Sequence, residues 1–570
     1  MSKKRRYFDD LPGVKAPRAN FNLSHRVATT MKPGLLHPIK VVEVLPGDTW
    51  TVDSAQLVKL VTPLVRPIMD DVYLDTYSFF VPLRLCYDKL EDVFGDSAPS
   101  AYESPDLAAI PSFLMSFSQA TGTRVNIPES GTVYDYLGAI TDDVLFDPDA
   151  EGNYNSICSV LPVRAFALVW NEFFRNQQID QEVAVNLSGV ASTAEKPNNN
   201  AWSPTNYGGQ LPPVRRYGDY FSTCMLAPQK GPAVKIPIEG TPIVGAFDGS
   251  IPVITPFGDT SVGTDYLAFS GAGTTGDARL LGVQEDTYGN GRLSAFVGAS
   301  GNDSTITGSN MVVGANDNGT INALRTAFQL QKYLERDAFF GSRYREYLYA
   351  SYGVISQDAR VQVPEFLGGT HNRLQISQIM STASTDKVPL GQFSGQISSL
   401  SEKNLRFSKS IPEHGYIITV AAIRYKHLYS QAVQKLWFRF RREDFYDKLF
   451  SNLGQKAIGL EELVGINFEG DSRRFLGYQE NFAEYRTIFD SVTGQMRPLE
   501  GKTGQYWSLA DRFAKMPSLS DVVHEQTDSF DRVLAATTEA LDPFIVDFNF
   551  RCSVARVVSP YSMPGFADHH

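Results

Sequence analysis

The sequence predicts a mainly β protein, two antiparallel sheets packed as a jelly roll, whose inter-strand loops have lengthened into long and partly helical insertions. Three observations carry that expectation. Segments rich in β-branched and aromatic residues, bounded by turn residues, recur from Pro38 to Val558. Helical patterns interrupt them in two places, so the regular strand–helix alternation of a parallel α/β sheet is missing. The composition, with 36 Phe, 26 Tyr, 45 Gly and 32 Pro against 20% charged residues, suits strands and turns better than a helical bundle or a disordered chain. A double-sheet jelly roll with expanded loops accommodates all three. At 570 residues the chain is several times the usual ~100–200 per domain, which leaves room for such insertions or for further domains.

Residues 1–36 lack sustained periodicity and contain Pro12, Pro17 and Pro33, which predicts an extended arm lying on another copy or on a nucleic acid. Residues 1–40 hold nine Lys or Arg against two acids, Asp9 and Asp10, a local charge of +7 in a chain of net charge −11. From Pro38 to Arg84, IKVVEVL, TWTVD, AQLVKLVTPLV and VYLDTYSFFVPLRL read as three or four strands, with PGD as a turn. Residues 162–175 and 321–340 have apolar residues at helical spacing, such as Ile321, Leu324 and Phe328, and Gly341 stops the second helix.

Between those helices, residues 239–320 differ in composition: 16 Gly in 82 residues, no Lys, Arg279 and Arg292 as the sole cations, and nine acids. YLAF, RLLGV, LSAFV and MVV are spaced there like short strands, so the stretch reads as a small Gly-rich surface protrusion whose acidity keeps it from nucleic acid. After Gly341 come RLQISQI, GYIITVAAIRY (415–425) and FIVDFNFRCSVARVV (544–558), the last alternating Phe548, Phe550 and Cys552 against Asn549, Arg551 and Ser553. The expected organisation is an arm at 1–36, a core from 37–238 and 321–570, and a protrusion at 239–320.

Several function classes find no support. Cys86, Cys158, Cys224 and Cys552 are widely separated, which indicates neither a zinc knuckle nor a disulfide framework. The basic start MSKKRRYFDD leads into no apolar stretch, and no window approaches the ~18 apolar residues of a membrane span, so neither a signal peptide nor membrane insertion is expected. Gly271 to Gly276 matches GxGxxG, but DARLLG after it is cut by Gly282, so no helix opens onto a pyrophosphate. Gly501-Lys502-Thr503 lacks the glycine of a phosphate-binding loop, since Met496 stands there, and reads as a turn. His524-Glu525 lacks a second histidine, and GxSxG is absent. His25, His37, His371, His414 and His427 read as structural residues. No catalytic, cofactor-binding or metal-ligating residue is expected, and no cofactor.

Two basic clusters remain as candidate nucleic-acid contacts. The first is Lys3, Lys4, Arg5 and Arg6. The second is KLWFRFRREDFYDKLF, where Lys435, Arg439, Arg441 and Arg442 alternate with Trp437, Phe438, Phe440 and Phe445. Cations neutralise phosphates while aromatic faces stack bases, which suits unpaired strands. The alternative for the second cluster is an amphipathic core segment with a solvated or ion-paired polar side, helped by Glu443, Asp444 and Asp447. For the first it is a solubilising tail or an arm on an acidic neighbour. Both alternatives stay open.

The wording of several segments is more specific than any of these motifs. FNLSHRVATTMKPGLLHPIKVVEVLPGDTWTVD (21–53) resembles the N-terminal region of microvirus major capsid proteins, especially the gokushovirus-like branch. TPLVRPIMDDVYLDTYSFFVPLRL (62–85), LPVRAFALVWNEFFR (161–175), RRYGDYFSTCMLAPQKGPAV (215–234), LRTAFQLQKYLERDAFFGSRY (324–344), DARVQVPEFLGG (358–369), WFRFRREDFYDKLFSNLGQKAI (437–458) and SPYSMPGFADH (559–569) continue it in order. The resemblance runs almost end to end, excepting 239–320. It implies an eight-stranded viral jelly roll that self-assembles into a T=1 icosahedral shell around circular single-stranded DNA, as a virion protein made in the cytoplasm of a bacterial host. It also implies partners: identical subunits, the genome, minor capsid or pilot proteins and small DNA-binding proteins. The 239–320 insertion falls where gokushovirus-like members form threefold protrusions, which suggests contact with a host receptor. The family is richer in consecutive Arg, Ser and Tyr at the second cluster, so Arg439, Arg441 and Arg442 carry over as candidates alone.

Two rival readings come from other classes. A β-sandwich carbohydrate-binding module or adhesin would hold glycan on 239–320. A polysaccharide hydrolase would need two carboxylates across a substrate, whereas Asp70-Asp71 and Glu461-Glu462 are merely adjacent.

Overall fold

The computed structural model describes residues 18–61, 63–94, 110–118, 123–141, 154–234, 266–268, 280–285, 291–296, 321–380, 393–400, 404–451, 453–465, 475–525, 528–535 and 542–558. The chain divides into two compact units, Met1–Lys230 with Arg336–His570, and Gly231–Glu335. The strands are β1 (Ala19–Asn22), β2 (His25–Met31), β3 (His37–Val44), β4 (Thr49–Leu60), β5 (Val72–Pro82), β6 (Ser112–Ser118), β7 (Thr123–Val125), β8 (Tyr154–Ser159), β9 (Tyr266–Ala268), β10 (Leu280–Glu285), β11 (Gly291–Phe296), β12 (Glu365–Met380), β13 (Phe393–Leu400), β14 (Leu405–Ser410), β15 (Gly415–Tyr425), β16 (Gln455–Gly459), β17 (Phe475–Glu480) and β18 (Phe544–Arg556). The longer helices are α1 (Leu161–Val169), continued by a π turn Trp170–Phe174, α2 (Ile321–Phe340) and α3 (Tyr344–Tyr352). The protein is mainly β with antiparallel sheets and few helices.

Two large sheets organise the bigger unit. One runs β1-β18-β4-β14, with β2 beside β1 along the same edge of β18; the other runs β13-β12-β5-β15-β3. Every pairing in them is antiparallel. They share one apolar core, in which Trp50, Val52 and Val58 of β4 and Phe544, Val546, Phe548 and Phe550 of β18 meet Leu74, Phe80, Ile417, Ile423 and Tyr425. In β18 these residues alternate with Ile545, Asp547, Asn549, Arg551 and Ser553, so that face of its sheet is solvated. This is the period-2 pattern of a half-buried antiparallel strand.

β5 and β15 are buried on both faces, and their sequences read as nearly continuous apolar runs for that reason. One face of each enters the sandwich core; the other, with Phe79, Val81, Ile418, Val420 and Ala422, lies under α1 and its loops in a second apolar cluster. Two hydroxyls enter the first core, Ser78 and Thr419, and as cross-strand neighbours they hydrogen-bond each other at 2.8 Å. Arg164 of α1 is fully buried and forks onto the carboxylate of Glu195 at 2.8 and 3.1 Å, while its third nitrogen donates to the carbonyls of Cys86 and Ser188. Gly415 opens β15 against Phe80, where an added Cβ would lie 2.3 Å from the ring.

The structure narrows one sequence expectation, to three strands between Pro38 and Arg84, and departs from another. TWTVD and AQLVKL form the single strand β4, because nothing in Asp53-Ser54 turns the chain and Ser54 is buried within the strand. The described part of the 1–36 arm, from Arg18, pairs with its own β18 (Ala19 with Arg556, Met31 with Phe544), and Arg26 forks onto Asp547 across that edge. Its small polar residues hid the alternation. Residues 1–17, including Lys3, Lys4, Arg5 and Arg6, lie outside the described residues, as do 559–570.

In the smaller unit β9, β10 and β11 form a three-stranded antiparallel sheet in the order β11-β10-β9. They coincide with YLAF, RLLGV and LSAFV, whereas MVV, the 271–276 glycines and the rest of 239–320 lie outside the described residues. Among the described residues no helix is long and apolar enough to cross a membrane.

Candidate nucleic-acid and assembly surface

The second basic cluster leaves the end of β15 and is anchored at its root by buried charges. His427 places Nδ1 2.9 Å from Asp511 and Nε2 2.7 Å from Glu525. Arg216 donates to the same Asp511 carboxylate and, through Nε, to the His524 carbonyl at 2.8 Å. Burial alone would push the imidazole down; Glu525 and Asp511 outweigh it and hold His427 at about 9. Burial alone would raise Asp511, yet His427 and Arg216 bring it to about 2. Two cations thus face two carboxylates with the imidazole protonated at both nitrogens, and the network ties four distant chain segments together. The expectation that His427 is structural fits this geometry.

Beyond that root the segment forms 3-10 turns at Lys435–Phe438 and Arg442–Asp444, not a helix. Asp444 accepts from the backbone N–H groups of Phe440 and Arg441 at 3.0 and 2.8 Å, which shapes the turn, and these bonds hold its carboxyl below the usual range. Lys435 pairs with Glu462 at 3.4 Å, beside the Tyr220 hydroxyl that donates to the same carboxylate. Arg439 pairs with Glu484 at 3.3 Å, donates to the Tyr485 hydroxyl, and lies over the rings of Tyr485 and Phe445. Arg441 and Arg442 are exposed, and neither has an ion-pair partner among the described residues.

The named residues therefore separate. Arg439 is held inside the subunit by partners about forty-five residues away, for which no local signal exists; Arg441 and Arg442 are free to meet an external anion. The alternative of a core segment fails on its apolar half: Trp437 is 70% exposed, Phe440 83% and Leu449 84%. Lys435 and Arg439 are engaged within the subunit, while Arg441, Arg442 and those apolar side chains are exposed.

The other carboxylates and histidines weighed above take structural places. Asp70 accepts from the Leu509 N–H and is raised by burial to about 6, while Asp71 pairs with Arg373. His37 is fully buried, bonded to the Leu35 carbonyl, and lowered by burial to about 4. His371 contacts Asp75 at 2.6 Å, and Asp75 also accepts from Tyr217 and Arg424. His414 stacks on Phe94 and His25 on Phe550. Gly501, at φ +73°, precedes a 3-10 turn from Thr503, as a turn requires.

Comparison with known proteins gives these surfaces a context. A family model described as capsid protein (F protein) matches residues 9–566. Capsid protein VP1 of Chlamydia phage 1 is 31% identical, covering 98% of this chain and 97% of its own length. VP1 of Spiroplasma virus 4 is 30% identical and VP1 of Bdellovibrio phage phiMH2K 32%, each with the same coverage.

Proposed function

Because the chain belongs to the capsid protein (F protein) family of microvirus-type phages, and is thus a structural protein and not an enzyme, we propose that it self-assembles into a T=1 icosahedral shell enclosing circular single-stranded DNA. The observation that carries this reading is end-to-end similarity to three phage VP1 proteins, which spans 98% of this chain and 97% of each relative. The strand orders support the finer fold: β2-β18-β4-β14 facing β3-β15-β5-β12, with β13 as an added edge, is the arrangement expected of an eight-stranded double sheet of jelly-roll type. Weak contacts between such subunits become strong once closure makes them intramolecular.

Within the shell, Lys3, Lys4, Arg5 and Arg6 meet the genome, and Arg441 and Arg442 are the free cations of the second cluster that do so. Residues 239–320 form the outward spike that recognises the host, and minor capsid and small DNA-binding proteins complete the virion, assembled in the host cytoplasm. Electron microscopy of the concentrated protein tests the reading. Closed shells of one size with threefold spikes are expected; a protein that stays monomeric at every concentration, alone and with the other virion proteins, overturns it. Deleting 239–320 is expected to leave shells intact and abolish adsorption.

A further inference from the structure

We propose that the apolar face of residues 436–453 is a contact surface for a second copy of this chain. The inference rests on the capsid reading and says where one subunit grips the next. Trp437, Phe440, Phe445, Leu449 and Leu453 are between 53% and 84% exposed, and Tyr485 joins them through Arg439 and Tyr446. Exposed hydrophobics scattered singly are ordinary, but five large ones within seventeen residues are not. At about 150–250 Å² for a large aromatic side chain, the exposed fractions of Trp437, Phe440, Phe445 and Tyr485 come to roughly 400–650 Å², and Leu449 and Leu453 add to that. The face is therefore at or above the upper end of the ~300–600 Å² of the largest patch on a typical monomer. It approaches the ~800 Å² that each partner contributes to a standard interface.

The segment is also built to hold this face still. The His427 network fixes its root, Lys435 and Arg439 are pinned by Glu462 and Glu484, Asp444 closes the turn, and Asn481 Nδ2 donates to the Phe450 carbonyl at 2.6 Å. Ordering costs met within the subunit are not met again on association. The chemistry of the face selects protein over nucleic acid. Leu436, Leu449 and Leu453 have no π-face on which a base stacks. The five cations of residues 435–450 share the stretch with Glu443, Asp444 and Asp447, and two of the five are already paired. In a shell of identical subunits the protein at hand is another copy.

Two measurements test it. Phe440→Glu with Leu449→Glu alters side chains that are mostly solvated, so the subunit is expected to melt as the wild type does while its assembled fraction in sedimentation falls at least about tenfold. Separately, Leu449→Cys is labelled with maleimide in free subunits, empty shells and DNA-filled shells, and a drop of about tenfold is expected in both kinds of shell. Equal assembly by the glutamate variant, or equal labelling in shells and subunits, overturns the inference while wild-type shells leave the capsid reading standing. Protection in DNA-filled shells alone also overturns it, by assigning the face to nucleic acid. Should wild-type protein form no shells at any concentration, alone or with the other virion proteins, the shell reading itself has failed.

Discussion

Raising the pH from 6.5 to 9 is expected to remove a large, identifiable part of the subunit's stability, through His427. An imidazole held at about 9 in the folded protein against an ordinary 6.5 is worth about 3 kcal/mol. The side chain is only 1% exposed, so solvent screening takes little from that figure. Because the folded value is the higher one, the contribution is fully present below pH 6.5 and is lost as the pH rises through 9. His427→Gln leaves Asp511 and Glu525 without the cation between them and is expected to cost ~3–5 kcal/mol at pH 6. The deficit should shrink by about 3 kcal/mol by pH 9.5, once the wild-type imidazole is neutral too. Urea unfolding of dissociated subunits at pH 6, 7.5 and 9.5 reads this directly. Burial pushes the Cys86 and Cys552 thiols up to about 12 and 11, which adds an alkaline loss of its own, but one common to both proteins that cancels in the difference. Wild-type and variant midpoints that move in parallel across the range would refute the assignment of a buried imidazolium.

His37 gives the opposite sign in another window: lowered to about 4, it makes the wild type lose stability as pH falls from 6.5 towards 4, and His37→Gln should flatten that acid limb in thermal melts. Phe548→Ala empties a fully buried site between the sheets and should cost about 3–5 kcal/mol in urea, whereas Ile545→Ser on the solvated face of the same strand should stay within about 0.5. Gly415→Ala sets a Cβ 2.3 Å from the Phe80 ring and 2.6 Å from the Val81 carbonyl, and should lower stability by about 1–3 kcal/mol by the same assay. Arg441→Gln with Arg442→Gln should lower DNA per shell, read as the absorbance ratio of purified particles, at unchanged melting temperature; Arg439→Gln should lower the melting temperature because it breaks the pair with Glu484.

Much of the fold was legible because local pattern and burial agree. β18 announces itself by alternating Phe548, Phe550 and Cys552 with polar residues, and β5 and β15 by unbroken apolar runs, since a strand covered on both faces has no polar side to show. α1 and α2 follow from 3.6-residue spacing. The short edge strands β1 and β2 escaped because an edge buries little and needs little apolar sequence.

The candidate surface was half legible. Its residue types were visible as a basic and aromatic run, but whether Trp437 faces a core or solvent depends on what the rest of the chain brings against it. Sequence alone determined the class of the protein: strand periodicity, a basic N-terminus, and a family wording that spans nearly the whole chain. Tertiary structure alone decided the roles of individual charges, because an ion pair depends on distance in space and not in sequence. Glu484 and Tyr485 take up Arg439, Asp511 and Glu525 charge His427, and Arg441 and Arg442 are left facing outward.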